Sequence, residues 1–554
     1  MAEAALKATV SRRTLLAGAA GLGAVAAGGT AAARYLSSDR EQHPAAAAAT
    51  RSARPAQTLS IVGAPGTLGG YLNDSSVDAV EVAGWGFGPG QAAYMSAVAA
   101  DGTVFVGTTP FTDNQAKPTA AGMELAAFDP TARRFTRMVI PSTTGQTVLG
   151  NPNARYRGVG GGDVADVLVV PEPDPARGAG ERVVFLSEIP YFGWNAAVDG
   201  QLPTLGQVVR DGADGPWHYE PSLSYTAQQL AAGLTPQRSA AAFPVPGPSQ
   251  PPNPRGPASI ARLPRSGHLV VAQYFGYGQQ HSGALLVVDL AGQVRAFWQY
   301  PEPRPLGLTV LVRPREVTVD PTSAADDERF ALISDCYNAE GKVQPFTVQE
   351  FSYSASTGTI RPMSTAVRAA QDGSRMETAC FDAAGTLFVA RTRADGLTAD
   401  RVAVYPKIGG ERGLVTRSPA VGNWPATSWG TTCRPDHLIG GSGDGGLVRS
   451  LTLDPASGGL LLAGVDGSLM AIQPEGAGRQ MTFRVGPRID LGLDLLRRRS
   501  TMYVGLRRGA VDAQRRLLWL PVNQLVLDAI EWPYPPFKLD QWLLRIDLAR
   551  LPGS

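Results

Sequence analysis

The sequence predicts an all-β chain closed into a single β-propeller, with seven four-stranded blades and a long insertion in blade two. Three observations carry this. First, β-type apolar runs recur in pairs joined by a short turn containing Asp or Gly. Examples are "AVAADGTVFVG" from Ala97, "METACFDAAGTLFVAR" from Met376 and "RSLTLDPASGGLLLAG" from Arg449. Second, most pairs are followed by a more polar pair, such as "GALLVVDLAGQVRAFWQY" from Gly283. An apolar inner pair and an alternating outer pair suit strands packed on both faces inside and wetted outside. Third, 64 Gly and 44 Pro with no convincing amphipathic helix favour many turns and short strands.

Taken in order, looser copies of the inner pair begin at Asp166, Ala258 and Arg315, and the last begins at Gly509. The seven pairs lie roughly 55 to 95 residues apart, against roughly 40–50 for compact propeller repeats, so several loops must be long. The longest excursion is residues 201–257, within blade two. "VDAVEVAGWG" (Val77 to Gly86) precedes the first inner pair and is expected to complete the final blade, which ends in "DQWLLRIDLARL". Such closure removes an open sheet edge. Two β-sandwiches, the competing arrangement, would need a mid-chain linker and shorter, regular turn spacing. The sequence shows neither.

At the start of the chain, Arg12 and Arg13 stand just ahead of "TLLAGAAGLGAVAAGGTAAA". That run is mostly Ala and Gly, weakly apolar for a spanning helix of about 20 residues. It ends in Ala31-Ala32-Ala33, a small-residue cleavage pattern. The segment resembles a bacterial Tat signal, and the chain as a whole resembles Tat-exported bacterial seven-bladed propeller proteins, a broad class. The resemblance implies a signal over 1–33, cut before Arg34, a low-complexity tether over 34–56 and a propeller domain over 57–554. It also implies the Tat export machinery as a partner, a secreted location and no stable membrane span after processing. An uncleaved anchor is the alternative. The blade repeat names no reaction.

Lys+Arg 50 against Asp+Glu 48 leaves a charge of +2, so no global field recruits nucleic acid or membrane. Cys336, Cys380 and Cys433 make no disulfide framework, and Cys380, inside an inner strand, reads as a small buried hydrophobe. No two of the five histidines are spaced as zinc ligands on one element. "GVGGGDVADV" from Gly158 lacks the strand and helix that a phosphate loop needs, and reads as a turn between blades.

One face of a propeller gathers the loops leading into the innermost strands and those joining second and third strands. The lead-in segments carry Arg157, Arg255, Arg315, Arg375 and Arg508, whose forked donors suit an anion. The second set of loops and the end of blade seven carry Tyr191, Trp194, Tyr274, Tyr337 and Trp532, flat faces that suit sugar rings. The expectation is a small-molecule or glycan ligand, anionic and carbohydrate-containing, held at the channel mouth. A secreted hydrolase or lyase on the same face is the second expectation. His281, Tyr277 and His437 are its acid–base candidates, with Glu316 and Glu377 as ligands for a divalent metal cofactor. Pairing of the arginines with acids such as Glu316, for structure alone, is the alternative.

Overall fold

The computed structural model describes residues 77–81, 92–109, 122–141, 163–188, 203–242, 257–273, 284–299, 311–337, 343–368, 375–392, 401–412, 431–432, 437–439, 448–491, 501–526 and 538–551, apart from a few turn positions within these spans. All lie in one compact unit, residues 58–554. The expected signal and tether, 1–56, fall outside the described residues.

Among the described residues, seven sheets of at least four strands follow one another along the chain, each built on an antiparallel meander, and the sheet of blade four gains a short parallel strand, Thr431–Thr432, beside Thr359–Arg368. Their innermost strands are Ala92–Val98, Asp163–Pro171, Pro257–Arg262, Leu311–Val319, Arg375–Phe381, Val448–Leu453 and, in two pieces, Thr501–Leu506 with Ala510–Asp512. Each innermost strand touches the next around the circle, and that of blade seven touches that of blade one. The protein is a single seven-bladed β-propeller. As expected, Val77–Glu81 supplies the outermost strand of the last blade, with Val77 opposite Ile546 and Glu81 opposite Trp542.

Strand periodicity builds the core. Seven apolar clusters fill the seven gaps between neighbouring blades. In Leu460–Gly464, Leu460 and Leu462 pack towards blade five, while Leu461 and Ala463 pack towards blade seven. In blade four, Phe330 and Leu332 face blade three, and Ala331 and Ile333 face blade five. Alternate side chains of one strand therefore serve two interfaces, which is why the inner strands read as continuous apolar runs. Each such Leu, Ile or Phe side chain contributes about 1.5–3 kcal/mol by burial, and each Ala less. Cys380 belongs to the cluster between blades five and six, where burial pushes its thiol well up.

Blade two departs from the rest. Pro203–Val209, inside the stretch expected as a loop, is its third strand and is buried throughout. Gly206 lets that strand ride against the Phe185 ring, since a Cβ there would lie 1.8 Å from it. In place of a long fourth strand, His218–Tyr219 and Tyr225–Thr226 pair with the third. Helices Ala227–Ala231 and Pro236–Ala242 follow, and Leu230 and Ala242 seal the cluster shared with blade three. The first helix begins at Thr226 with a reciprocal capping box to Gln229.

The inner-hairpin turns stitch neighbouring blades together. Lys407 of blade five meets Asp320 of blade four at 3.1 Å, and Arg516 of blade seven meets Asp454 of blade six. Arg210 of blade two meets Asp101 of blade one at 2.6 Å. Glu328 of blade four accepts the Arg265 and Ser266 amides of blade three. Beside it, His268 Nδ1 lies 2.9 Å from Tyr353 Oη, and burial pulls His268 below the ordinary histidine range.

Candidate functional site

Six of the innermost strands share an irregularity. Each has a register shift just before one polar residue: Ser96, Asp166, Ser259, Glu316, Thr378 and Ser450 in blades one to six. An extra residue in a strand re-aims the side chains next to it. In blade seven the innermost strand is interrupted between Leu506 and Ala510, and Arg508 makes an isolated bridge within the interruption.

These seven residues form a belt around the channel axis, and hydrogen bonds run along it from blade to blade. Asp166 accepts from Val167 N, Ser259 Oγ and Ile260 N, each at 2.9 Å. Ser259 Oγ in turn accepts the Val317 amide at 3.2 Å. Thr378 Oγ1 donates to Glu316 Oε1 at 3.0 Å, and Ser450 Oγ accepts the Gly509 amide at 3.2 Å. Ser96 Oγ donates to the Trp519 carbonyl of blade seven at 3.1 Å. A hydroxyl or carboxylate on one blade thus satisfies the backbone of the next, as buried polar groups must.

Arg508 does something else. Its Nη2 lies 3.5 Å from Asp166 Oδ1 and its Nη1 lies 3.9 Å from Glu316 Oε1. Neither blade two nor blade four adjoins blade seven, so the guanidinium spans the channel. The Asp166 charge, and after it that of Glu316, raises the Arg508 pKa against the opposing effect of burial. The side chain keeps 24% of its surface open. Its separations are longer than the roughly 2.7–2.9 Å of a charge-assisted hydrogen bond.

Of the residues picked from sequence, the structure brings Arg508 and Glu316 together. Arg315 and Glu377 are the extra residues of the irregular strands of blades four and five, immediately before Glu316 and Thr378. Arg375 opens the innermost strand of blade five opposite Thr392, and Tyr337 pairs with Leu311 in blade four. His437 lies on the outermost strand of blade five opposite Val404, so it does not join the belt. Arg157, Arg255, Tyr191, Trp194, Tyr274, Tyr277, His281 and Trp532 lie outside the described residues. Sequence reasoning missed Ser96, Asp166, Ser259, Thr378 and Ser450. Their signal was present: one polar residue inside each apolar inner run, as in "PASIAR" and "VRSLTL".

Among the described residues, no three acidic, histidine or cysteine side chains gather as metal ligands, and no helix is long and apolar enough to cross a membrane. No protein-family model and no curated protein sequence matches the chain. Solved structures similar to it include Sqt1 from Chaetomium thermophilum, at 10% identity over 82% of this chain and 88% of that one, TM-score 0.38. A putative 6-phosphogluconolactonase from Bacteroides uniformis is similar at 10% identity over 79% of this chain and 96% of that one, TM-score 0.36. The β-propeller domain of Cps50 (Swd1) from Myceliophteria thermophila is similar at 9% identity over 52% of this chain and 82% of that one, TM-score 0.29.

Proposed function

We propose that this is an exported propeller that binds an anionic, carbohydrate-type ligand at the mouth of its central channel, with Arg508 as the anchor. One observation carries the reading. Arg508 is a charged guanidinium spanning the channel, partly open and at 3.5 and 3.9 Å from two acidic partners among the described residues. A forked donor group at such long separations from its described partners can turn to a ligand's oxygens. The lead-in positions Arg157, Arg255, Arg315 and Arg375 would add further donors, and Tyr191, Trp194, Tyr274, Tyr337 and Trp532 would offer ring faces. Export is supported by Arg12 and Arg13 ahead of the Ala/Gly run.

The test is calorimetric titration of the protein with a panel of small anions, comparing wild type with Arg508→Gln and Arg508→Lys. Binding of at least one anion should weaken at least about tenfold in Arg508→Gln and recover partly in Arg508→Lys. Absence of binding, or equal binding by all three proteins, would overturn the reading.

A further inference from the structure

Resting on that reading, we infer that Ser259 and Thr378 are positioning residues of the anion site, whose hydroxyls hold Asp166 and Glu316 off Arg508 and so keep the guanidinium open to the ligand. The same arrangement occurs twice in the belt. Asp166 of blade two accepts a hydrogen bond from the next blade, Ser259 Oγ to Oδ2 at 2.9 Å. Glu316 of blade four likewise accepts one from the next blade, Thr378 Oγ1 to Oε1 at 3.0 Å. Arg508 stands farther from each acid, at 3.5 Å from Asp166 Oδ1 and 3.9 Å from Glu316 Oε1. At Glu316 the hydroxyl and the guanidinium face the same oxygen, and the hydroxyl is the closer.

Both hydroxyls are fixed in place. Ser259 and Thr378 are buried, and each follows the register shift of its innermost strand. Ser259 Oγ also accepts the Val317 amide at 3.2 Å, which ties Asp166 through blade three to the residue after Glu316. A carboxylate bonded to an immobile donor keeps its place. To reach the roughly 2.7–2.9 Å of a charge-assisted bond to Arg508, it must stretch or leave that donor. Once the hydroxyl is removed, the carboxylate has lost a donor inside the protein, a cost it can recover by moving onto the guanidinium. Arg508 would then be held closely, as Arg516 is by Asp454, and a ligand would have to break that pair before binding.

Thr378→Val is the sharpest test, because it removes the hydroxyl at nearly constant shape and opens no room for a water to replace it. The experiment is calorimetric titration with galacturonate, inorganic phosphate and sulfate, each alone. The tightest-binding of the three should weaken at least about threefold in Thr378→Val and in Ser259→Ala, and should return to within about twofold of wild type in Thr378→Ser, which keeps the hydroxyl. A second reading needs no ligand. The NMR signals of the Arg508 guanidinium nitrogens, identified by their loss in Arg508→Gln, should report slower rotation about the Nε–Cζ bond in both variants, as a close ion pair imposes. A purely structural role would lower the unfolding midpoint and move neither reading. Weakened binding with unchanged Arg508 signals would overturn the inference, since the hydroxyls would not then act through the acids. If both variants bind as wild type does while Arg508→Gln binds more weakly, the positioning role fails and the anion site stands. If no anion binds wild type, or Arg508→Gln changes nothing, the anion site fails and takes this inference with it.

Discussion

In blade seven Arg508 precedes and Arg516 follows Ala510–Asp512, and these two arginines are held in opposite ways. Arg516 makes a close ion pair with Asp454 of the adjacent blade, whose side chain is 2% exposed. Its backbone sits at φ 56°, a left-handed conformation that costs a non-glycine residue about 1 kcal/mol or more and persists only where the surroundings impose it. Arg508 reaches across the channel to two carboxylates on blades that are not its neighbours, at 3.5 and 3.9 Å. Both side chains are cations beside buried acids. Closeness and adjacency distinguish Arg516, a latch between blades, from Arg508, the proposed anchor, and charge alone does not.

The largest effect expected is at the belt's acceptor. Asp166→Ala would strand Val167 N, Ser259 Oγ and Ile260 N inside the protein. The loss should be about 3–5 kcal/mol in urea unfolding. A loss under about 1 kcal/mol would mean that the belt does not hold the blades together.

Next comes the latch. Arg516→Ala should cost about 2–3 kcal/mol, because it leaves Asp454 buried without its cation, and should leave anion affinity unchanged. An equal fall in affinity would erase the distinction between the two ends of the strand. Burial alone would raise Asp454, yet Ser457, Arg516 and the Ala456 amide hold it below the usual carboxylate range. An acid depressed in the folded state stabilises above its unfolded value, 3.8, and that stability is lost as pH falls through the folded value. The Arg516→Ala cost should therefore shrink on acidification below about pH 4, read from urea midpoints.

A smaller effect belongs to the seam of blades three and four. His268, lowered chiefly by burial, resists protonation in the folded protein but not in the unfolded chain. For a base depressed in this way, stability is full above the unfolded value, 6.5, and falls as pH drops below it towards the folded value. Unfolding free energy should decline by about 1 kcal/mol or less on going from pH 8 to pH 5, and His268→Gln should flatten that slope. A slope unchanged in His268→Gln would place the titrating group elsewhere.

The architecture was legible because it depends on local pattern. Continuous apolar runs such as Leu460–Gly464 mark strands buried on both faces, and Val77–Glu81 could be matched to the blade that lacked a partner. Blade two was harder. Pro203–Val209 begins with Pro and contains Gly206, two residues that argue against a strand until Phe185 is seen filling the space above the glycine. The lead-in register found Arg508 and Glu316, and composition could not say that they meet. That meeting depends on an interruption of the innermost strand after Leu506 and on two blades far apart in sequence. Asp166 was passed over for another reason. "GVGGGDVADV" reads as a turn between blades, whereas Asp163–Pro171 within and after it is the innermost strand of blade two, with a register shift just before Asp166.

The central claim is that Arg508 anchors a ligand and is not a latch, and one paired measurement tests it most directly. Thermal unfolding and galacturonate titration should be run side by side on wild type and Arg508→Gln. The account predicts a stability change under about 1 kcal/mol, since Arg508 stands 3.5 and 3.9 Å from its carboxylates and makes no close pair with either, together with a loss of affinity of at least about tenfold. A loss of 3 kcal/mol or so with affinity unchanged would contradict it and make Arg508 one more clamp between blades.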